Sequence, residues 1–136
     1  MLIALVADLL STGQPVRFAA SGDSMEPTLA HGDALIVHPL AATELEVGMV
    51  ALVRAGERVL AHRVVALPRA PDGSLTAIVV RGDACAAADA PLKPGALLGR
   101  VTARVRAGRE YALGRTPERA GPAAWWRAVK RRLASK

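Results

Sequence analysis

The chain has 136 residues, about half of them apolar, with three histidines, one cysteine and a formal net charge of +6. That length predicts one domain with chain enough for a real core, and with aromatics at only 3% the core must be built of Val, Leu, Ile and Ala. A single cysteine excludes an intrachain disulfide, and no Cys/His spacing suggests zinc, so no metal or cofactor is expected.

Charge is unevenly spread. Residues 1–99 hold seven basic and ten acidic side chains, whereas residues 100–136 hold eleven basic and two acidic. The basic character reads as a property of the tail. Such a tail suits an anionic membrane surface, nucleic acid or an acidic partner, and equally suits plain solvation.

In chain order, Leu2, Leu5, Val6, Leu9 and Leu10 fall at helical spacing and predict an amphipathic helix over 2–10, stopped by Ser11-Thr12-Gly13. The stretch is too short to span a bilayer and contains Asp8. It also lacks the basic start and small-residue cleavage site of a secretory signal. Docking on its own domain is the preferred reading, and a shallow interfacial anchor is the other. Residues 16–20 read as a strand leading into Gly22-Asp23-Ser24-Met25-Glu26-Pro27-Thr28-Leu29. A serine at a bend between two extended runs presents its hydroxyl from a rigid frame, although most such serines bond their own backbone. His31-Gly32-Asp33 reads as a turn before a strand at 34–38, with His31 a turn residue and His38 a strand end. Neither is given a catalytic role.

Residues 49–54 and 58–67 read as two strands joined by the turn Ala55-Gly56-Glu57. The second carries His62 in an apolar run, and histidine is the side chain whose ordinary pKa suits a general base near neutral pH. Residues 68–74 are a loop, 75–81 a strand, 82–94 an Ala/Asp/Pro-rich loop, 97–106 a long strand and 109–113 a last short one. Cys85 reads as a small residue near the 82–89 box, not as a nucleophile. After a linker, Pro122 can open a helix with Trp125, Trp126, Val129 and Leu133 on one stripe among Arg127, Lys130, Arg131 and Arg132. That helix either lies at a membrane interface or lays its tryptophans over a sheet edge; the second reading is preferred. The expected division is a helix in 1–15, a β domain in 16–113 and a basic tail in 114–136.

Together, Ser24-Met25-Glu26-Pro27-Thr28-Leu29, His62-Arg63-Val64-Val65, Arg81-Gly82-Asp83 and Asp89 resemble the boxes of the type I signal peptidases. The likeness is greatest to their histidine-bearing branch, in a clan that also holds the LexA-type self-cleaving repressors. It runs from about Val16 to Val101. It implies a mainly β fold of several short, coiled antiparallel sheets with a short helix at each end. The period-two runs and short turn spacing support an all-β class independently. The chain departs from the family in lacking a membrane span and is similar to the small anchorless relatives found in bacteria. The expected location is cytoplasmic, with peripheral contact at the inner membrane face as a second reading.

The resemblance implies that Ser24 is the nucleophile and His62 its general base, which the fold must bring together. A third group normally orients such a histidine. Asp83 and Asp89 are the candidates, with Asp89 preferred as the orienting carboxylate and Asp83 holding the loop. The oxyanion and substrate-binding set is Ser24, through its N–H, with Met25 and Gly22. Many signal peptidases carry a hydroxyl two residues before the nucleophile; here Gly22 stands there, so that donor falls to Ser21 or to a backbone group. The leading reading is a serine endopeptidase acting on a peptide or protein. The alternative is a peptide-binding module with weak or no turnover. A self-cleaving regulator is disfavoured, because about 15 residues precede the first strand, too few for a helix-turn-helix, and that group uses lysine as base. Nucleic acid is not expected as a partner.

Overall fold

The computed structural model describes residues 2–118. One helix, α1 (Leu2–Ser11), precedes seven strands: β1 (Val16–Ala19), β2 (Ala34–His38), β3 (Val50–Ala55), β4 (Arg58–Ala66), β5 (Val79–Arg81), β6 (Leu97–Arg106) and β7 (Arg109–Ala112). The mainly β class expected from the period-two runs is the class observed. The arrangement differs from several separate sheets. All seven strands join one antiparallel ladder in the order β1-β2-β6-β3-β4-β5, with β7 also on β6. β6 makes this continuity possible because it is ten residues long. It pairs with β2 through residues 100–105, while β3 along residues 97–101 and β7 along residues 103–106 succeed one another.

Register shifts at Ile36/Val37, Leu52/Val53 and Val64/Ala66 interrupt the ladder. Such irregularities bend a strand and raise its twist, so a single ladder can enclose two cores. β3 stands between them, and its first four residues are all buried. Val50 and Leu52 join the core formed with Leu35, Val37 and Val101, whereas Ala51 and Val53 join the core of Val64, Ile78 and Val80. Alternate side chains of a strand point to opposite faces, so one apolar run serves both. No aromatic side chain is fully buried among the described residues, and the core is aliphatic.

α1 docks on the first core through Val6 and Leu10, leaving Leu5 and Leu9 exposed. Among the described residues no helix is long and apolar enough to cross a membrane. The strand expected over 75–81 is shortened to Val79–Arg81. Ile78 pairs instead with Leu92 of the following loop, which turns back alongside this segment, and Leu75 with Arg69 of the preceding one. The basic residues are also not confined to a tail. Arg100, Arg104, Arg106 and Arg109 lie on β6 and β7, and Arg106 and Arg104 pair with Asp33 and Glu118. The helix expected from Pro122 onward lies outside the described residues.

Candidate active site

Three segments converge at one end of the sheet, and the pairing explains why. β4 carries His62 and Arg63, opposite Ala51 and Val50 of β3. β5 runs back along β4 so that Arg81 faces Arg63. The chain therefore leaves β5 at Gly82 directly beside the histidine. There it meets the loop between β1 and β2: the Ala84 N–H donates to the Ser24 carbonyl at 2.9 Å. Gly82 permits this approach, since a Cβ there would stand 2.4 Å from the Ser24 carbonyl oxygen and 2.8 Å from Cys85 Sγ.

Ser24 Oγ lies 2.9 Å from His62 Nε2, and His62 Nδ1 is hydrogen-bonded to Asp89 Oδ2. An ionised carboxylate can only accept, so Nδ1 carries the proton given to Asp89, and the Nε2 lone pair faces the Ser24 hydroxyl. His62 is 6% exposed. Asp89 is set in place by its own N–H, which donates to the Val80 carbonyl at 2.9 Å, and by the Ile78–Leu92 bridge just beyond. Ser24, His62 and Asp89, the three residues assigned nucleophile, base and orienting roles, thus form one hydrogen-bonded chain.

Asp83 does not join that chain. Its carboxylate takes Nε and Nη2 of Arg63, each at 2.8 Å, and the Thr28 hydroxyl at 2.6 Å. Arg63 also donates through Nη1 to the Gly48 and Gly114 carbonyls. Side-chain alternation explains the separation: Arg63 follows His62, so it projects to the opposite face of β4 and draws Asp83 with it. Asp83 ties the Ser24 loop, through Thr28, to β4, which is a holding role. Met25 is buried, and its Sδ accepts the Asp83 N–H at 3.3 Å. The Gly22 N–H, in a residue with φ +81°, donates to His31 Nδ1 at 3.2 Å. Gly22 therefore offers an oxyanion neither a side-chain donor nor a spare N–H. Arg63, Thr28 and His31 were given no role from sequence. Arg63 and Thr28 stand inside the boxes that carry the resemblance, and His31 reads from sequence only as a turn residue.

A cleft of about 1040 Å³ opens over Ser24 and His62, walled by Phe18, Ala20, Met25, Val59 and Ala61 among others. The edges beside it are available. β1 pairs only with β2, and β5 covers β4 only at Arg63, Val64 and Ala66, so residues 58–62 have a strand on one side alone among the described residues. No group of three or more His, Cys, Asp or Glu suited to a metal occurs among the described residues. Set against protein-family models, curated proteins and solved structures, the chain matches none.

Proposed function

We propose that this protein is a serine endopeptidase with a signal peptidase-like fold, acting on a peptide or protein segment held extended in the cleft. The observation that carries the reading is the chain from Ser24 Oγ to His62 Nε2 and from His62 Nδ1 to Asp89 at the floor of an open cleft. A serine hydroxyl becomes a useful nucleophile when a neighbouring base takes its proton. As Ser24 Oγ attacks the carbonyl carbon, His62 Nε2 accepts that proton, and Asp89 holds the ring in the required tautomer and stabilises the imidazolium. The proton then passes to the leaving amine as the C–N bond breaks. Water attacks the acyl-enzyme by the same route in reverse and restores Ser24. The Ser24 N–H is the natural donor for the tetrahedral oxyanion. The free edges of β1 and β4 suit a substrate added as a strand, where main-chain bonds give affinity and alternate side chains give selectivity.

The test is direct: incubate the full chain with a diverse peptide library, identify products by mass spectrometry, and label with a fluorophosphonate. Cleavage and labelling that vanish in Ser24→Ala support the reading. A protein inert in both assays, though folded, removes it. One observation favours a second reading, peptide binding without turnover: the engaged N–H of Gly22 leaves the oxyanion one obvious donor fewer. A Ser24→Ala protein that kept the full biological effect would select that alternative. Peripheral contact of the basic segment 122–136 with an inner membrane face is a separate proposal. It is checked by sedimentation with anionic liposomes, and equal binding without that segment would end it.

A further inference from the structure

We propose that His31 is a positioning residue for the nucleophile turn, and that protonation of its ring releases that turn. Its catalytic consequence rests on the peptidase reading, whereas its structural content does not.

The inference starts from how the loop between β1 and β2 is closed. The Ala20 N–H donates to the Asp33 carbonyl at 2.9 Å and the Gly32 N–H to the Ala20 carbonyl at 3.0 Å, continuing the β1–β2 ladder beyond the strand ends. This brings His31 against the residues that leave β1, where Nδ1 accepts the Gly22 N–H at 3.2 Å. Gly22 has φ +81°, and a Cβ there would meet nothing within 4 Å. The glycine is therefore needed for its backbone angle, which swings the chain toward Ser24 two residues on. Downstream, the 82–84 segment grips the Ser24 carbonyl. Upstream, His31 holds the Gly22 end of the same turn.

An imidazole nitrogen accepts only when it carries no proton. The bond to Gly22 thus requires neutral His31 with its proton on Nε2. In the imidazolium Nδ1–H would face Gly22 N–H, donor against donor. His31 is exposed, so its ring exchanges protons with solvent directly. The charged groups of the loop that carries His31 are Asp23, Glu26 and Asp33, and Arg104 and Arg106 of β6 bond to that loop at Thr28 and Asp33. Both Asp33 oxygens are occupied, by the Ala30 N–H and Arg106, and Arg104 donates to the Thr28 carbonyl. Peptide attack then needs a neutral His62 to accept a proton and runs fastest with a neutral His31 holding the turn.

The decisive measurement is an NMR pH titration of the full chain that follows the Gly22 amide peak and the His31 ring carbon together. The Gly22 peak is expected to move in step with the His31 ring. In His31→Asn, whose side-chain oxygen accepts without titrating, it is expected to stay still. A Gly22 peak indifferent to His31 protonation in the unmodified chain overturns the proposal, whatever the protein's activity. For catalysis, loss of one such bond predicts that His31→Ala slows Ser24 labelling by roughly two- to ten-fold when the ring is neutral, with His31→Asn restoring it. The acid side of kcat/KM should carry an added drop of that same size, roughly two- to ten-fold, in the unmodified chain, in step with His31 protonation, and should lack it in His31→Asn. Labelling of His31→Ala at the unmodified rate refutes the positioning role. Labelling absent from the unmodified chain refutes the peptidase reading instead and leaves the NMR result to decide this one.

Discussion

Replacing Asp83 by Asn tests whether a buried ion pair joins the Ser24 loop to the strand that carries His62. The Asp83 side chain is 2% exposed and that of Arg63 5%. The carboxylate takes two hydrogen bonds from Arg63 and one from Thr28. Removing one partner of a pair buried to this degree costs about 3–5 kcal/mol, because the remaining charge stays desolvated without compensation. Asn keeps one acceptor oxygen but turns an NH₂ toward donors, so about 1 kcal/mol of that is recovered. The expected net loss is about 2–4 kcal/mol, a large share of the roughly 5–15 kcal/mol that holds a typical domain. Urea unfolding followed by far-UV circular dichroism at neutral pH should show a lower midpoint with little change in slope. The double-mutant cycle with Arg63→Met should be non-additive, with a coupling of about 1–3 kcal/mol. A loss below about 1 kcal/mol for Asp83→Asn, or simple additivity in the cycle, would show that water reaches the pair and that it does not fasten the loop.

Gly82→Ala places a Cβ against the Ser24 carbonyl oxygen. Overpacking of this kind costs about 1–3 kcal/mol, so thermal unfolding should shift downward and fluorophosphonate labelling of Ser24 should slow; an unchanged labelling rate would mean that the 82–85 segment does not set the serine's position. On the peptidase reading, Asp89→Asn replaces the carboxylate that fixes the His62 tautomer by an amide whose NH₂ can face Nδ1 and favour the wrong one, and the corresponding change in serine protease triads costs about 10⁴ in kcat. Peptide cleavage by this variant should fall by roughly 10³- to 10⁴-fold with KM little changed, and a loss of less than about ten-fold would remove Asp89 from the mechanism.

Burial pushes the Asp33 carboxyl up, but the hydrogen bonds from Arg106 and the Ala30 N–H and the charges of Arg106 and Arg104 outweigh it and hold the carboxyl below its usual range. A depressed folded-state value contributes stability that is present above the unfolded value of about 3.9 and lost as pH falls through the folded one. Acid unfolding of Asp33→Asn should therefore be shallower below about pH 4 than that of the unmodified chain; identical acid limbs would show that the Arg106 pair contributes nothing.

The amino-acid sequence by itself determined the class of the fold and singled out the candidate residues of the site. Period-two runs place β2 and β6 within their observed limits, and the scarcity of aromatics dictates an aliphatic core. Ser24, His62 and Asp89 stand out as residue types suited to one chemistry, and the boxes around them narrow the field. Local pattern could not go further, because the decisive contacts span long separations in the chain. Ser24 and His62 are 38 residues apart, and Asp89 is another 27 beyond. The antiparallel return of β5 along β4 brings Asp89 to His62, and the folded sheet sets the β1–β2 loop with Ser24 against both. The same return decided between the two aspartates: residues 83 and 89 look alike in a loop, but strand alternation sends Arg63 to the face opposite His62, and Asp83 follows the guanidinium. His31 was legible only as a turn residue, since its bond to Gly22 exists once the β1–β2 ladder closes the loop. Composition and periodicity act over a few residues, whereas the register of paired strands fixes which distant side chains share a face, and that register is a property of the folded sheet.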